Sequence, residues 1–312
     1  MKQRVMTNNI LNGVTILDFG HRLPGPLAGK ILASLGAKVV KVEDHIFQDP
    51  FCAGAFAEFD PSFKDWYQEL NGSKEILRLD FKSPTIKDQI LELLENCSGI
   101  INGLPHKVQA SLGIDFESIS KLKSPIAVVD MKASKQSKTA MHDLNALAMT
   151  GLLSLHVEGQ TKDIIAPPFL PIAGINFGHK VATDLLAVLL KVRESSKSYY
   201  HTTYLLESTE EIFSAFWPRK LRDNRTKFLH NGLYPCYSLY KTSDDKYVAL
   251  AAVEEKFWLE FCEVFKLDIP KEERFNYQDD KVFTAISKCF LSMTQKEVKK
   301  VTERHDFCLS LI

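Results

Sequence analysis

Residues 11–43, LNGVTILDFGHRLPGPLAGKILASLGAKVVKVE, constrain the fold more than any other stretch of the chain. Residues 15–19 are a short apolar run of strand type, and Pro24-Gly25-Pro26 ends it. Leu27, Ile31, Leu32 and Leu35 then recur at helical spacing, Gly36 closes the helix, and valine-rich residues 38–43 read as a second strand. One β-loop-α-β unit therefore opens the fold. Its loop is expected to deliver backbone N–H groups at a helix N-terminus, an arrangement that suits an anionic ligand. The glycine spacing argues against a dinucleotide site. G-x-G-x-x-G is absent, and two prolines flank Gly25 where a pyrophosphate needs close backbone approach. Taken by itself the pattern is that of an ordinary buried βαβ unit.

The strand–helix alternation continues. Strands are expected at 76–80, 99–102 and 126–130, with helices at 85–95 and 116–122 between them, the rhythm of a doubly wound parallel sheet. Apolar helices follow at 144–155 and 179–193, then a strand at 201–206 and a helix from Ser208. Residues 218–226, PRKLRDNRT, are mostly charged and read as a solvated linker. Beyond them, 237–240 and 247–252 flank the polar turn Ser243-Asp244-Asp245 as a hairpin, and helices are expected at 256–265 and 282–290. The expected fold class is α/β: a large doubly wound Rossmann-like domain over residues 1–217 and a smaller α+β domain over 218–312.

Bulk properties exclude several functions. Formal net charge is zero, so nothing points to nucleic acid or an anionic membrane. No signal peptide is legible at the N-terminus, and no apolar run approaches a membrane span of roughly 20 residues. The six cysteines are scattered without a C-x-x-C, so neither zinc nor a disulfide framework is expected. Reduced thiols in a cytoplasm are the simplest account.

The string GPLAGKILASLGAKVVKVE resembles the N-terminal signature of the family III CoA transferases, which include formyl-CoA and carnitine CoA transferases and the 2-methylacyl-CoA racemases. Asn71-Gly72-Ser73-Lys74 with Leu79-Asp80-Phe81-Lys82 resembles the family's N-x-x-K…L-D-x-K stretch, and Leu112-Gly113-Ile114-Asp115 its L-G-[LIF]-x. His142-Asp143-Leu144-Asn145 and Gly151 resemble the G-H-D-x-N-Y…G element of the racemase branch. Residues 234–258 resemble a tyrosine-rich element that ends in glutamate and an aromatic residue. The resemblance covers nearly the whole chain. It implies an interlocked homodimer, coenzyme A or acyl-CoA as substrate rather than a tightly bound cofactor, a small carboxylic acid as second substrate, and no metal. It also implies a C-terminus longer than the one this sequence carries.

Without the resemblance, Asp143 is a helix N-cap in front of Leu144, Leu147 and Ala148. The resemblance implies instead a nucleophile that attacks the acyl-CoA thioester and forms a mixed anhydride. His142 matches an acid/base group of the racemase branch, and Glu254 falls where that branch has a glutamate steadying it. Their alternatives are a surface histidine and an acid in the first turn of a helix. The resemblance places CoA over Arg22, Gly25 and Pro26, near Asn71 and Lys74, with His106 and Lys107 where relatives carry arginine. Lys132, Lys135 and Lys138, in the loop after the strand at 126–130, either serve the nucleotide or are solvated. Two departures matter. Ala173 stands where the racemases have a second catalytic aspartate, and Asp44 where relatives have an arginine for CoA phosphates. The leading expectation is a CoA transferase acting through Asp143. The alternatives are a degenerate non-catalytic homologue and a racemase-like enzyme using His142, Asp143 and Glu254.

Overall fold

A computed structural model describes residues 9–136, 140–157, 163–218 and 229–312. The chain divides into two compact units, Met1–Arg219 and Lys220–Ile312. Of the stretch read as a linker, residues 219–226 lie outside the described residues.

The larger unit is built on six strands: β1 (Thr15–Phe19), β2 (Lys38–Asp44), β3 (Glu75–Leu79), β4 (Gly99–Asn102), β5 (Ala127–Lys132) and β6 (Tyr199–Tyr204). All pair in parallel, in the order β3-β2-β1-β4-β5-β6. This is the doubly wound order whose direction reverses between β1 and β4. Its helices are α1 (Pro24–Ser34), α2 (Ala55–Phe59), α3 (Ser62–Asn71), α4 (Ile86–Glu95), α5 (His106–Leu112), α6 (Phe116–Ser120), α7 (Asp143–Met149), α8 (Leu152–Val157), α9 (Ile172–Ser195) and α10 (Leu205–Phe216).

Strand alternation explains the two layers of core. Ile16, Ile101 and Val129 face α1 and α9, whereas Leu17, Ile100 and Val128 face α4, α5 and α6. Truncating any of these fully buried side chains to alanine would cost about 2–5 kcal/mol. α9 starts earlier than periodicity indicates, at Ile172, because Gly174 and Gly178 line one face of it. A Cβ on Gly178 would stand 2.9 Å from Leu27 Cδ2 and from the Pro24 carbonyl, so only glycine lets α9 close on α1. The helix expected over 144–155 is two helices. Gly151, at φ +81°, ends α7 and turns the chain into α8.

The smaller unit pairs β7 (Tyr237–Lys241), β8 (Tyr247–Ala251) and β9 (Leu309–Leu311) in an antiparallel sheet. Trp258, Phe261, Phe265, Phe290 and Phe307 fill the core between this sheet and α11 (Glu255–Val264), α12 (Lys281–Leu291) and α13 (Gln295–Thr302). Among the described residues, no helix is long and apolar enough to cross a membrane.

Candidate functional site at the carboxyl edge of the parallel sheet

Open parallel sheets bind ligands outside the carboxyl ends of their strands, where strand order reverses. Here that crevice lies between the ends of β1 and β4, and glycines form it. A Cβ on Gly20 would lie 2.6 Å from the Gly25 Cα, so the loop after β1 touches the start of α1 backbone to backbone. Gly103, just past β4, faces the Gly20 Cα across the crevice, where a Cβ would stand at 3.4 Å.

The opening turn of α1 differs from the expectation. Pro24 and Pro26 carry no N–H, and the Leu27 N–H donates to the Leu23 carbonyl at 2.9 Å. At most the Gly25 N–H remains, and Gly25 and Pro26 are both buried. This loop is therefore not the row of free donors that an anion needs. Gly25 serves close packing, so an acidic side chain there would break the loop before it could report on a ligand.

Beneath the loop lies a buried ionic network that neither motif nor periodicity indicated. Asp18, Lys41, Glu43 and Asp49 are all 0% exposed. Lys74 Nζ donates to Asp18 Oδ2, the Pro26 carbonyl and Asn71 Oδ1, each at 2.8 Å. All three ammonium donors are thus spent inside the protein. Asn71 Nδ2 donates to the Tyr67 carbonyl at 3.0 Å. Asn71 and Lys74, expected near CoA, form a bolt between α3, β1 and the first turn of α1. Burial alone would raise the Asp18 carboxyl, but Lys74 and Lys41 beside it hold it below its ordinary value. Lys41 Nζ donates to the Gly20 carbonyl and lies 3.3 Å from Asp49 Oδ2 and 3.7 Å from Glu43 Oε1. Glu43 also accepts from Tyr67 Oη at 2.9 Å and from Arg78 Nε at 3.2 Å. Three carboxylates (Asp18, Glu43 and Asp49) thus face three cations (Lys41, Lys74 and Arg78). The signal that could have shown this is the placement of Asp18 and Lys41 inside the otherwise apolar runs TILDF and VVKV.

Several basic side chains lie on the loops and helix starts at this edge of the sheet. Arg22 is exposed at φ +62°, with its guanidinium 5.7 Å from the centre of the Phe56 ring. His106 and Lys107 are exposed at the start of α5, just after β4. Lys132 pairs with Asp130 at 2.9 Å, Lys135 lies over the Tyr204 ring, and Lys138 lies outside the described residues. Burial raises the Asp130 carboxyl, and Lys132 and Gln109 offset that only in part.

Asp143 is the first residue of α7, and His142 is the N-cap; the His142 N–H donates to Asn145 Oδ1 at 3.0 Å. Asp143 therefore does not cap its own helix. Its Oδ1 accepts from the Gly174 N–H at 2.8 Å, in the first turn of α9. The aspartate caps a 24-residue helix that follows it by some thirty residues. Burial raises its carboxyl above the ordinary value, and the Gly174 and Ala173 N–H groups pull it back only in part. Among the described residues, no charged side chain contributes to that shift. A Cβ on Gly174 would meet Leu23 Cδ2 at 3.2 Å and Asp143 Oδ1 at 3.8 Å. The first loop and Asp143 thus meet on either side of the α9 N-terminus. Ala173, 0% exposed, places a methyl group where a second acid was absent from the sequence. His142 is exposed. Glu254 belongs to the smaller unit, exposed, as the N-cap of α11.

One set of potential metal ligands converges among the described residues: Asp44, His45 and Asp80, with one ligand atom from each within 4.8 Å of the others. Asp44 Oδ1 already accepts the Ile46 and Phe47 N–H groups and Oδ2 that of Phe81, so this carboxylate closes turns after β2 and β3.

A doubly wound parallel sheet, with a glycine-lined crevice at its carboxyl edge and a half-buried aspartate held at a helix N-terminus, defines a protein of the open α/β class. The sequence model of CoA-transferase family III matches residues 11–312, and the chain belongs to that family. It is 26% identical over 279 residues to human succinyl-CoA:glutarate CoA-transferase, covering 85% of this chain and 61% of the relative. It is 24% identical over 258 residues to mouse alpha-methylacyl-CoA racemase, covering 80% and 63%. It thus spans about six tenths of the length of these curated relatives. Among solved structures, a CAIB/BAIF family protein from Brucella suis matches with TM-score 0.75 at 16% identity, over 96% of this chain and 82% of that one. A hypothetical protein from Mycobacterium tuberculosis matches with TM-score 0.71 at 19% identity, over 94% and 81%.

Proposed function

We propose that this chain is an acyl-CoA enzyme of the transferase type, with Asp143 as nucleophile and a small carboxylic acid as acceptor. The observation that carries the reading is the setting of Asp143. Its carboxylate is half-buried, held by N–H groups at the α9 N-terminus and uncompensated by any charged side chain among the described residues. A carboxylate so placed is a stronger nucleophile than a solvated one and is already aimed by its hydrogen bond.

In this reading an Asp143 oxygen attacks the thioester carbon, the C–S bond breaks and CoA thiolate leaves, giving a mixed anhydride. The thiolate attacks the aspartyl carbonyl, releasing the first acid as its carboxylate and leaving an aspartyl thioester. The acceptor carboxylate then attacks that thioester and expels thiolate. The thiolate finally attacks the acceptor's acyl carbon and restores Asp143. No net proton or electron is consumed. Ala173 speaks against racemisation, because its methyl group carries no proton to the second face of an enolate.

The test is hydroxylamine trapping during turnover with acyl-CoA and an acceptor acid, read by peptide mass spectrometry. A hydroxamate at Asp143, absent from Asp143→Asn, is expected, with turnover in that variant down by several orders of magnitude. Turnover without an adduct, or with full activity in Asp143→Asn, would overturn the reading. A chain that keeps the fold without chemistry is the second reading, favoured by the complete internal pairing of Lys74. It predicts no turnover with any pair of substrates.

A further inference from the structure

Arg22 is one of five non-glycine residues with positive φ among those described, and it stands at the tip of the loop that ends β1. A long side chain in the left-handed region is strained and persists only where its surroundings enforce it. The enforcing group is Asp49. Its Oδ2 accepts the Arg22 N–H at 2.9 Å, and its Oδ1 accepts the Phe51 N–H at 3.0 Å. The Phe51 ring packs 5.9 Å from the Phe56 ring, and the Arg22 guanidinium lies over Phe56. One carboxylate therefore fixes both the backbone that carries the guanidinium and the aromatic platform beneath it. Lys41, fully buried, completes the clamp from the other side by bonding the Gly20 carbonyl and pairing with Asp49. Fully buried charges are a costly way to hold a surface loop. The guanidinium they present is exposed, and among the described residues no carboxylate lies within ion-pair distance of it.

We propose that Asp49 is a positioning residue for ligand binding: it holds Arg22 in its left-handed conformation so that the guanidinium meets the phosphate groups of the incoming thioester carrier. The inference rests on the acyl-CoA reading for the identity of that carrier, and Asp49 itself touches no ligand. A planar guanidinium braced on an aromatic ring suits bidentate contact with phosphate oxygens.

The test is a double-mutant cycle on the full chain, with coenzyme A binding measured by calorimetry. Arg22→Gly keeps the N–H and adopts the positive φ freely but loses the guanidinium. Asp49→Asn keeps the side-chain size but can satisfy only one of the two N–H groups. Each single variant is expected to weaken binding about tenfold, and the double variant no further, because Asp49 acts only through Arg22. Effects that multiply in the double variant, or unchanged affinity in Asp49→Asn, would overturn the proposal. Should Asp49→Asn fail to fold, Lys41→Met/Asp49→Leu removes both charges of the clamp together and is read the same way. If neither folds, Asp49 belongs to the fold alone and the proposal falls. Inorganic pyrophosphate separates this proposal from the function it rests on. A wild type that binds pyrophosphate with the same cycle, but not coenzyme A, leaves Asp49 in its role and overturns the acyl-CoA reading. A wild type that binds neither overturns both.

Discussion

Replacing Lys74 by methionine separates a ligand-binding lysine from a structural one. Methionine keeps most of the stem volume and removes the ammonium. Three hydrogen bonds of 2.8 Å disappear, and Asp18 Oδ2, the Pro26 carbonyl and Asn71 Oδ1 lose their partner in a site where the Lys74 and Asp18 side chains are 0% exposed. Removing one partner of a buried ion pair costs about 3–5 kcal/mol. At roughly 2–4 °C per kcal/mol for a domain of this size, the melting temperature should fall by about 10 °C. The loss should also depend on pH. In the wild type the Asp18 carboxyl lies below its ordinary value of 3.8. Its contribution is therefore complete above that pH and is lost as pH falls through the lower folded value. Without Lys74, burial is opposed only by Lys41 and the Gly20 N–H, and the buried carboxylate becomes a cost that protonation relieves. The destabilisation should be greatest at neutral pH and shrink towards pH 4, as read by urea titrations of both proteins at each pH. A Lys74→Met chain within about 1 kcal/mol of wild type at neutral pH, with weakened coenzyme A binding, would refute the bolt and restore Lys74 to the ligand site.

Gly25→Ala should destabilise the large unit by about 1–3 kcal/mol in urea, because its Cβ would lie 2.6 Å from the Gly20 Cα. Gly103→Ala should unfold as the wild type does, because its nearest contacts, at 3.4 and 3.5 Å, are ordinary ones. That methyl group narrows the crevice, so coenzyme A affinity measured by calorimetry should still fall. The raised Asp143 carboxyl makes the aspartate costlier in the folded chain as it ionises. Wild type should therefore gain stability relative to Asp143→Asn as pH falls through the raised value, and parallel pH profiles of the two would contradict this. If Asp143 is the nucleophile proposed above, turnover should fall over the same window, since only the carboxylate attacks.

Much of the sheet was legible because parallel strands buried on both faces are apolar throughout. β1 and β4 fall where the apolar runs place them, and the hairpin of β7 and β8 follows its polar turn. α3 and α13 were missed because SFKDWYQELN and QKEVKKVT are mostly polar, and their few buried residues only register once a core exists to receive them. β9 was missed because three residues carry too little pattern, and its partner β8 is some sixty residues away. The start of α9 was hidden by Gly174 and Gly178, which read as helix breakers until α1 is packed against them.

The site was legible in residue type but not in partnership, and the reason is physical. A sequence shows that Asp18 and Lys41 interrupt apolar strands, so they must be paired if the strands are buried. It does not show the pairing, because Asp18 finds Lys74 across 56 positions and Arg22 finds Asp49 across 27. The same blindness hid two partnerships. Lys74 lies in a family-like motif expected near CoA, yet its ammonium is bonded to the buried Asp18, to Asn71 and to the Pro26 carbonyl. Asp143 precedes an apolar helix and reads as its cap, yet His142 takes that position and frees the carboxylate for the helix that starts at Ile172. A cap made across the fold, rather than along the chain, is a carboxylate aimed by tertiary structure. The same hydrogen bond that stabilises α9 therefore fixes the direction from which Asp143 could attack.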